Sequence, residues 1–451
     1  MSNQILFYLY LGAAVVIGYL CARRIRTPDD YYVAGRSAGV LYLAGSLLAT
    51  ILGSSAILGS VELGCEKGWA GAWLLVCGSV GLLALLPLVK AVAEFRGYNL
   101  SMLIGTFYGD RVKKLSGAVI AVAWLGVIGA QIIGAAKITA ATCGIPYDWA
   151  AAAIGLTLTF YTAAGGQFSI IRTDVLQTLL IFLGILPVAA VLFLRYPFPE
   201  AAPMFSPSFT VFDLLAMLFS YSSTFLVGPD IYSRIFCAKD PGTARKAVAV
   251  TALCLIPVGF LLAFIGICGA RLHLTGQGAV LFAVASCEFP PQVTLLLYFA
   301  MLSAIMSSAD TTLFTAGGLL SQFFRGDMAS RESVKLTRWC TGLLGVLAIL
   351  IAIRYDSILT VLLFALGVYA GAFVVPVLWG LLGGATDRRF AMGAILAGGT
   401  LALAGKILGG TAGNVLLISA FAVNLLILFL GRIPGGSGKP AGHDDTKEPH
   451  A

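Results

Sequence analysis

Long runs of apolar residues recur along the chain, and they constrain its fold more than any other feature. A helix needs about 20 mostly apolar residues to cross a bilayer. Only 11% of the residues are charged, against about 25% in soluble domains. The sequence therefore predicts an all-α polytopic membrane protein, with 276–290 as a short external helix. The thirteen predicted spans are roughly 5–22, 39–63, 69–89, 116–141, 148–164, 169–193, 210–235, 245–270, 291–322, 336–353, 357–383, 390–408 and 413–431.

Lysine and arginine are distributed unevenly between the predicted loops. With the N-terminus outside, 23 of the 29 basic residues, Arg234 among them, fall on the cytoplasmic side and five on the outer side. Cytoplasmic loops of membrane proteins carry this excess, so the net charge of +8 indicates a lipid-facing surface rather than a nucleic-acid partner. We expect a multi-pass protein of the cell membrane with a cytoplasmic C-terminus, residues 433–451 forming a disordered tail. No obligate protein partner is indicated.

Cysteine and histidine are poorly placed for metal or catalytic chemistry. The nine cysteines are scattered through apolar segments without a metal-type spacing. The three histidines, His273, His443 and His450, fall in an outer loop and in the tail. The sequence offers no catalytic residues and predicts that the protein is not an enzyme.

Two of the predicted spans contain polar interruptions. In the second span, 50–59 reads TILGSSAILG; in the seventh, 220–224 reads SYSST and is followed by Gly228 and Pro229. Unwound backbone at membrane depth is tolerated where it lines a cavity or is buried in protein. The alternative for each is an intact helix whose small residues form a helix–helix interface.

Several ordered motifs resemble those of the sodium/solute symporter family. They are DDYYVAGRSAG at 29–39, GGQFSIIRTDVLQ at 165–177, YSRIFCAKDPGTARKA at 232–247 and AIMSSADTTL at 304–313, with VVPVLWGLLGGATDRRFAMGAILAG extending the match to 398. In the third motif Phe236 and Cys237 vary inside the family's pattern. Four motifs in order make the resemblance specific, although each alone is weak.

The resemblance implies a leucine-transporter-type fold in one transmembrane domain, residues 1–432. Such a fold contains two five-helix inverted repeats, here about 39–193 and 210–383, in which the first helix of each repeat is broken near the midplane. The extra helices are 5–22, 390–408 and 413–431.

A candidate sodium site combines hydroxyl and carbonyl oxygens, which are the ligands that hard cations prefer. Ala304, Ser307 and Ser308 have the i, i+3, i+4 spacing that places them on one helical face. The resemblance adds the backbone carbonyls of Ala49 and Leu52, just before the suspected break.

Two aspartates lie near this candidate site. The resemblance places Asp174 beside the sodium and its inner exit; the alternative is a helix N-cap together with Thr173. Ala304 lacks the hydroxyl found in family members that hold a second ion, which favours one coupled sodium. Asp310 is expected to tie helices together through a buried hydrogen bond.

The candidate substrate site contains hydroxyl, amide and aromatic groups, which suit a small polar solute. Lys137 is the basic residue inside a predicted span, and it has three interpretations: it meets a substrate carboxylate, pairs with Glu62, or extends to the outer interface. The candidate substrate-binding residues are Ser54, Ser55, Gln131, Lys137, Tyr221, Ser222 and Tyr369.

The resemblance implies sodium-coupled symport of a small polar or carboxylate-bearing solute by alternating access, with sodium as the coupling ion. Two other functions remain open. One is a proton-coupled or uncoupled transporter of the same fold, in which Asp174 or Glu62 titrates. The other is a membrane solute sensor.

Overall fold

The structure, a computed structural model, describes residues 3–196, 204–207, 209–274, 280–355 and 358–433, and for 216, 220, 358–364, 410 and 411 it describes the backbone alone. The described residues are helical and contain no β-strand, only isolated bridges. The helices are α1 Asn3–Ala22, α2 Pro28–Val33, α3 Val40–Ile51, α4 Ser54–Lys67, α5 Trp73–Leu85, α6 Val89–Glu94, α7 Leu100–Tyr108, α8 Asp110–Cys143, α9 Tyr147–Arg195, α10 Val211–Met217, α11 Ser223–Leu226, α12 Pro229–Ile235, α13 Pro241–Arg271, α14 Val280–Glu288, α15 Pro291–Arg325, α16 Arg331–Arg354, α17 Ile358–Leu381, α18 Arg388–Leu408 and α19 Gly410–Leu430. The predicted tail beyond 433 lies outside the described residues.

Nine helical segments in the described part of the chain are long and apolar enough to cross a membrane. Two shorter apolar helices, Val40–Ile51 and Ala365–Leu381, accompany them. The chain is therefore an all-helical, multi-pass membrane protein, as the sequence predicted. The count of thirteen spans stays a prediction.

Helix α9 is one continuous element of 49 residues that contains a sharp kink. Gly166 has φ 52° and ψ −155°, values that no helix contains, and a Cβ there would lie 2.6 Å from the Tyr31 ring. A straight helix of this length would measure about 75 Å, more than twice the hydrocarbon thickness of about 30 Å. The predicted spans 148–164 and 169–193 lie on either side of this kink.

The segment Ser54–Leu85 is also long and apolar enough to cross a membrane, but the chain reverses direction within it. A Cβ on Gly71 would lie 2.5 Å from both Gly64 N and Ser60 O, so the 3₁₀ segment Gly68–Ala72 packs back against α4. Helices α4 and α5 then both pack against α13.

The helix breaks that the polar interruptions suggested are both present. Helix α3 ends at Ile51, and the chain is non-helical at Leu52 and Gly53 before α4 begins. In the second case α10 continues into a π-helical turn and α11, and the chain becomes extended at Val227 and Gly228 before α12. The small-residue-interface alternative, an unbroken helix, is wrong at both positions.

The buried centre of the molecule is built around α15, which packs against α8, α9 and α16. The described part of the predicted segment 276–290 forms a short helix, α14, Val280–Glu288, and its position outside the membrane stays a prediction. Its last residue, Glu288, accepts hydrogen bonds from Tyr196 Oη at 2.7 Å and Arg195 Nη1 at 2.9 Å. These two bonds hold the pKa of Glu288 below its usual value and tie α14 to the end of α9.

The close approach of α4 and α13 predicts that Gly266→Ala destabilises the protein. The added methyl would lie 2.1 Å from Val61 O and 2.7 Å from Cys65 N. Because both atoms belong to backbone, the helices must separate, and overpacking of this kind costs about 1–3 kcal/mol. We expect a lower thermal midpoint of the purified protein in detergent. Gly12→Ala, with nothing within 4 Å of the new Cβ, is the control and should not lower it. An equal midpoint for Gly266→Ala would contradict this packing.

Candidate functional site

A cavity of about 1380 Å³ opens between α4, α8, the α11–α12 break and α15. Along α8 its lining extends from Trp124 to Thr142, a rise of about 27 Å. We call the part lined by Trp124, Asp230 and Ile231 its deep end. The walls are mainly apolar, with a few polar groups pointing inward, as is typical of a site for a small molecule.

The break between α3 and α4 presents backbone carbonyls to this region. The last α3 bond runs from Leu52 N to Leu48 O at 2.8 Å. The carbonyls that follow, from Ala49 to Leu52, lie past this bond, so they have no helical N–H to accept. The α3 end is therefore a group of acceptors at the C-terminal, partially negative end of a helix dipole.

Two serines of α15 meet this end of α3. Ser308 Oγ donates to Thr50 O at 2.9 Å, and a Cβ on Gly53 would lie 2.5 Å from Ser308 Oγ. Ser307 Oγ donates instead to Asp174 Oδ1. Both hydroxyl hydrogens are thus used by protein acceptors, which leaves the oxygen lone pairs available to another partner.

The predicted sodium ligands lie in this one neighbourhood. Ala304, Ser307 and Ser308 are buried on α15, and Ala49 and Leu52 are fully buried at the end of α3. Ala304 offers only its backbone carbonyl. Sodium needs neither thiolate nor imidazole, and no His/Cys/Asp/Glu cluster of metal-binding type occurs in the described ranges.

Asp174 forms a fully buried ion pair with Arg234. The distance from Arg234 Nη2 to Asp174 Oδ2 is 3.0 Å, and both side chains have zero exposure. Ser46 Oγ donates to the same carboxylate oxygen and receives a 3.0 Å hydrogen bond from Arg234 Nε. Arg234 Nη2 also donates to Thr311 Oγ1. These contacts join α3, α9, α12 and α15.

Two predictions are corrected by this pair. Arg234, which the charge distribution assigned to a cytoplasmic loop, is buried in α12. Asp174 is not an N-cap, since it lies inside α9, where Thr173 Oγ1 donates back to Ile170 O at 3.0 Å. Its side chain instead accepts from other helices.

Asp310 ties α15 to α9, as expected from the sequence. Tyr161 Oη donates to Asp310 Oδ2 at 2.6 Å, and Thr311 Oγ1 donates to Oδ1 at 3.2 Å. Both Asp310 and Tyr161 have zero exposure. The carboxylate is therefore hydrogen-bonded within the protein rather than directed into the cavity.

Five of the seven predicted substrate-binding residues line the cavity, namely Ser54, Ser55, Gln131, Lys137 and Tyr221. Ser54 Oγ donates to Gln131 Oε1 at 3.2 Å, which connects α4 and α8. Glu62 lines the same cavity as Lys137, so the three interpretations of Lys137 remain open.

The other two predicted residues lie outside the cavity lining. Tyr369 is buried, and its hydroxyl donates to Val227 O at 2.7 Å, so it supports the break before α12. Ser222 is buried against α5, where a Cβ on Gly81 would lie 2.2 Å from Ser222 O. Both residues contact the scaffold of the second break.

Two cavity residues were missed by the sequence reasoning. Trp124 Nε1 lies 3.0 and 3.1 Å from the two carboxylate oxygens of Asp230, and both side chains line the deep end. The available signal was a carboxylate directly after Gly228 and Pro229 in an apolar span, where buried charge is costly and usually functional.

Comparisons with known proteins give one consistent result. A profile of the Sodium:solute symporter family matches residues 31–197. The chain is 24% identical to the high-affinity proline transporter PutP of Bacillus subtilis over 92% of this chain and 94% of that protein. It is 23% identical to the sodium/pantothenate symporter of Escherichia coli over 89% of this chain and 90% of that protein.

The fold agrees with these relatives. A substrate-bound, outward-open Na⁺-coupled sialic acid symporter superimposes with a TM-score of 0.77 and 17% identity, covering 96% of this chain and 98% of that one. The family profile covers residues 31–197, and along most of its length the chain is similar in sequence to solute symporters and in fold to a Na⁺-coupled symporter. The relatives and the structural neighbour are transporters or symporters by name.

The buried ion pair of Asp174 and Arg234 predicts a large effect of Asp174→Asn on stability. The substitution leaves the Arg234 guanidinium buried without a counter-charge, which costs about 3–5 kcal/mol. Thermal or denaturant unfolding in detergent, in potassium without sodium, measures this loss. The control is Glu332→Gln, which breaks an exposed ion pair. The Arg325 side chain of that pair is 46% exposed and the Glu332 side chain is 66% exposed. Exposed pairs contribute at most about 1 kcal/mol. Equal losses in the two variants would contradict the buried pair.

Proposed function

We propose that sodium binds where the end of α3 meets α15. Its ligands are the carbonyl oxygens of Ala49, Leu52 and Ala304 and the hydroxyl oxygens of Ser307 and Ser308. The observation that carries this proposal is the 2.9 Å hydrogen bond from Ser308 Oγ to Thr50 O, which holds the two serines against the open carbonyls of α3. Five neutral oxygens are enough to replace most of a hydration shell.

The hydroxyl geometry supports a cation at this place. Ser307 and Ser308 each donate their hydrogen to a fixed acceptor, Asp174 Oδ1 and Thr50 O. A cation between them would meet lone pairs and not hydrogens. The dipole of α3 adds partial negative charge at its C-terminal end.

Asp174 takes part in this site through Ser307. Its Oδ2 is occupied by Arg234 and Ser46, while Oδ1 accepts the Ser307 hydroxyl. The carboxylate orients the hydroxyl and adds negative potential, and Oδ1 is the oxygen within reach of the ion. Since Ala304 supplies no hydroxyl, we propose one coupled sodium.

The solute binds in the cavity beside this ion, and we propose a small polar solute that bears a carboxylate. Helix α4 begins at Ser54 without a side-chain cap. Ala56 N and Ile57 N donate to Gly53 O, which leaves the N–H groups of Ser54 and Ser55 to meet an anionic group. Ser54 and Ser55 line the cavity at this helix start. Proline, pantothenate and sialic acid, which the names of the relatives mention, all carry a carboxylate.

The two breaks support alternating access between inverted repeats at about 39–193 and 210–383. Rocking of the helices that carry the breaks would open the cavity to either side in turn. Because sodium contacts both α3 and α15, its binding would favour the arrangement that accepts solute, and the coupling is reciprocal. Without the buried Arg234, 22 basic residues on the predicted cytoplasmic side against five on the outer side support an outer N-terminus and a cytoplasmic C-terminus in the cell membrane.

A proton-coupled transporter of the same fold is the alternative. The observation that favours it is the presence of three carboxylates, Glu62, Glu66 and Asp230, in the cavity lining. Proton coupling would make transport depend on a pH gradient and leave it indifferent to exchange of sodium for potassium.

Removal of either hydroxyl should weaken sodium binding. A hydrogen-bonding or coordinating group that faces an ion contributes about 1.5–3 kcal/mol, so Ser307→Ala and Ser308→Ala should each raise the sodium concentration for half-maximal uptake about tenfold or more. Uptake into proteoliposomes against sodium concentration measures this.

Ser321→Ala is the matched control. Its hydroxyl lies on the same helix but contacts Ser333 O at 3.4 Å, away from the cavity. Sodium dependence should stay at the wild-type value there. An unchanged sodium dependence in both Ser307→Ala and Ser308→Ala would contradict the proposed sodium site.

A further inference from the structure

The deep end of the cavity contains a carboxylate that the sodium site does not use. Asp230 lies in the first turn of α12, directly after the Gly228 break, and its side chain lines the cavity. Trp124 Nε1 donates to this carboxylate, at 3.0 and 3.1 Å from its oxygens. One N–H satisfies only part of the acceptor capacity of a carboxylate, which has about four lone-pair positions.

No lysine or arginine in the part of the chain that the structure describes forms an ion pair with Asp230, although the charge of Arg234 one turn away acts on it. Arg234, one turn later on α12, is paired with Asp174, and its other N–H groups meet Ser46, Thr311 and Ser233. The ion pairs within 4 Å in the described chain do not include Asp230. The half-buried carboxylate of Asp230 therefore has room for a further positive or hydrogen-bonding partner in the cavity.

The surroundings of Asp230 suit an organic cation better than a metal ion. Trp124 lies beside Asp230, and Tyr221 and Phe225 line the same cavity; aromatic rings attract ammonium groups through their faces. A second metal ion would need several more oxygen ligands, whereas the described chain brings no cluster of acidic side chains together here. An ammonium needs only one carboxylate and an apolar or aromatic enclosure.

We propose that Asp230 binds a protonated amine of the transported solute, with Trp124 holding the carboxylate in place. This proposal rests on the proposed function, in which the cavity is the solute site, and it narrows the solute to a compound that carries both an amine and a carboxylate. Lys137 lies thirteen positions after Trp124 on α8, about 20 Å along the helix. A small solute at Asp230 therefore cannot also reach Lys137, which leaves the Ser54 end of α4 for its carboxylate.

The test compares solutes that differ only in the amine. The probes are L-proline and tetrahydrofuran-2-carboxylate, L-alanine and propionate, and γ-aminobutyrate and butyrate, each titrated into purified protein in sodium by isothermal calorimetry. We expect at least one amine to bind and its amine-free partner to bind at least a hundredfold more weakly. Asp230→Asn should weaken the amine at least tenfold, and Asp230→Glu, which keeps the charge, should restore part of the affinity.

Asp240→Asn is the matched control, because Asp240 is an exposed N-cap of α13 and asparagine caps helices equally well. It should bind amine and sodium as the wild type does. Sodium binding to Asp230→Asn, measured in the same way without solute, reports whether that variant is folded. Retained sodium affinity together with lost amine affinity supports the proposal.

Three results would overturn it. The first is binding of amine-free acids as tightly as amines, or of none of the amines, while sodium still binds. The second is unchanged amine affinity in Asp230→Asn. The third is a reduced number of sodium ions bound by that variant, which would assign Asp230 to a second ion. These three results differ from a failure of the proposed function. If the proposed function is wrong, the wild-type protein itself will not bind sodium.

Discussion

The buried pair of Asp174 and Arg234 is the interaction on which the rest of the site depends. Removing two charges from water is costly, and the cost is offset only when every remaining donor and acceptor finds a partner. Here Ser46, Ser307 and Thr311 supply those partners from α3 and α15. The pair therefore fixes the positions of four helices, among them both helices of the ion site.

The same network connects the ion site to the solute site. Ser307 faces the proposed sodium through its lone pairs and Asp174 through its hydrogen, so the ion and the buried pair share one hydroxyl. On α12, Arg234 and Asp230 are separated by about one helical turn. A displacement of α12 that accompanies solute binding would thus reach the sodium ligands through Arg234 and Asp174. This is a physical route for coupling, carried by hydrogen bonds between packed helices.

Much of this arrangement could be predicted from the sequence, and the reasons differ between residues. Apolar runs predicted the helices because the bilayer imposes their length. Gly53 and Gly228 marked the breaks because glycine and polar residues are unusual in lipid-exposed helix. Ser307 and Ser308 were predicted because their motif resembles that of the symporter family and helical spacing places them on one face with Ala304.

The remaining features depend on tertiary packing that no local pattern contains. Arg234 looked like a loop residue because charge is normally excluded from the membrane, and only its partner on α9 explains its burial. Tyr369 was expected in the cavity, but its hydroxyl is used by Val227 O. The contact between Asp230 and Trp124 joins residues that are distant in sequence, so only the structure places this carboxylate in the cavity with its partner.

The most direct test of this account is the stability of the purified wild-type protein in sodium against potassium at equal ionic strength. A ligand that binds only the folded state adds about 2.7 kcal/mol at a hundredfold excess over its dissociation constant. The account predicts a thermal midpoint that rises with sodium concentration and does not respond to potassium. Equal midpoints in the two salts across the full concentration range would contradict a sodium site between α3 and α15.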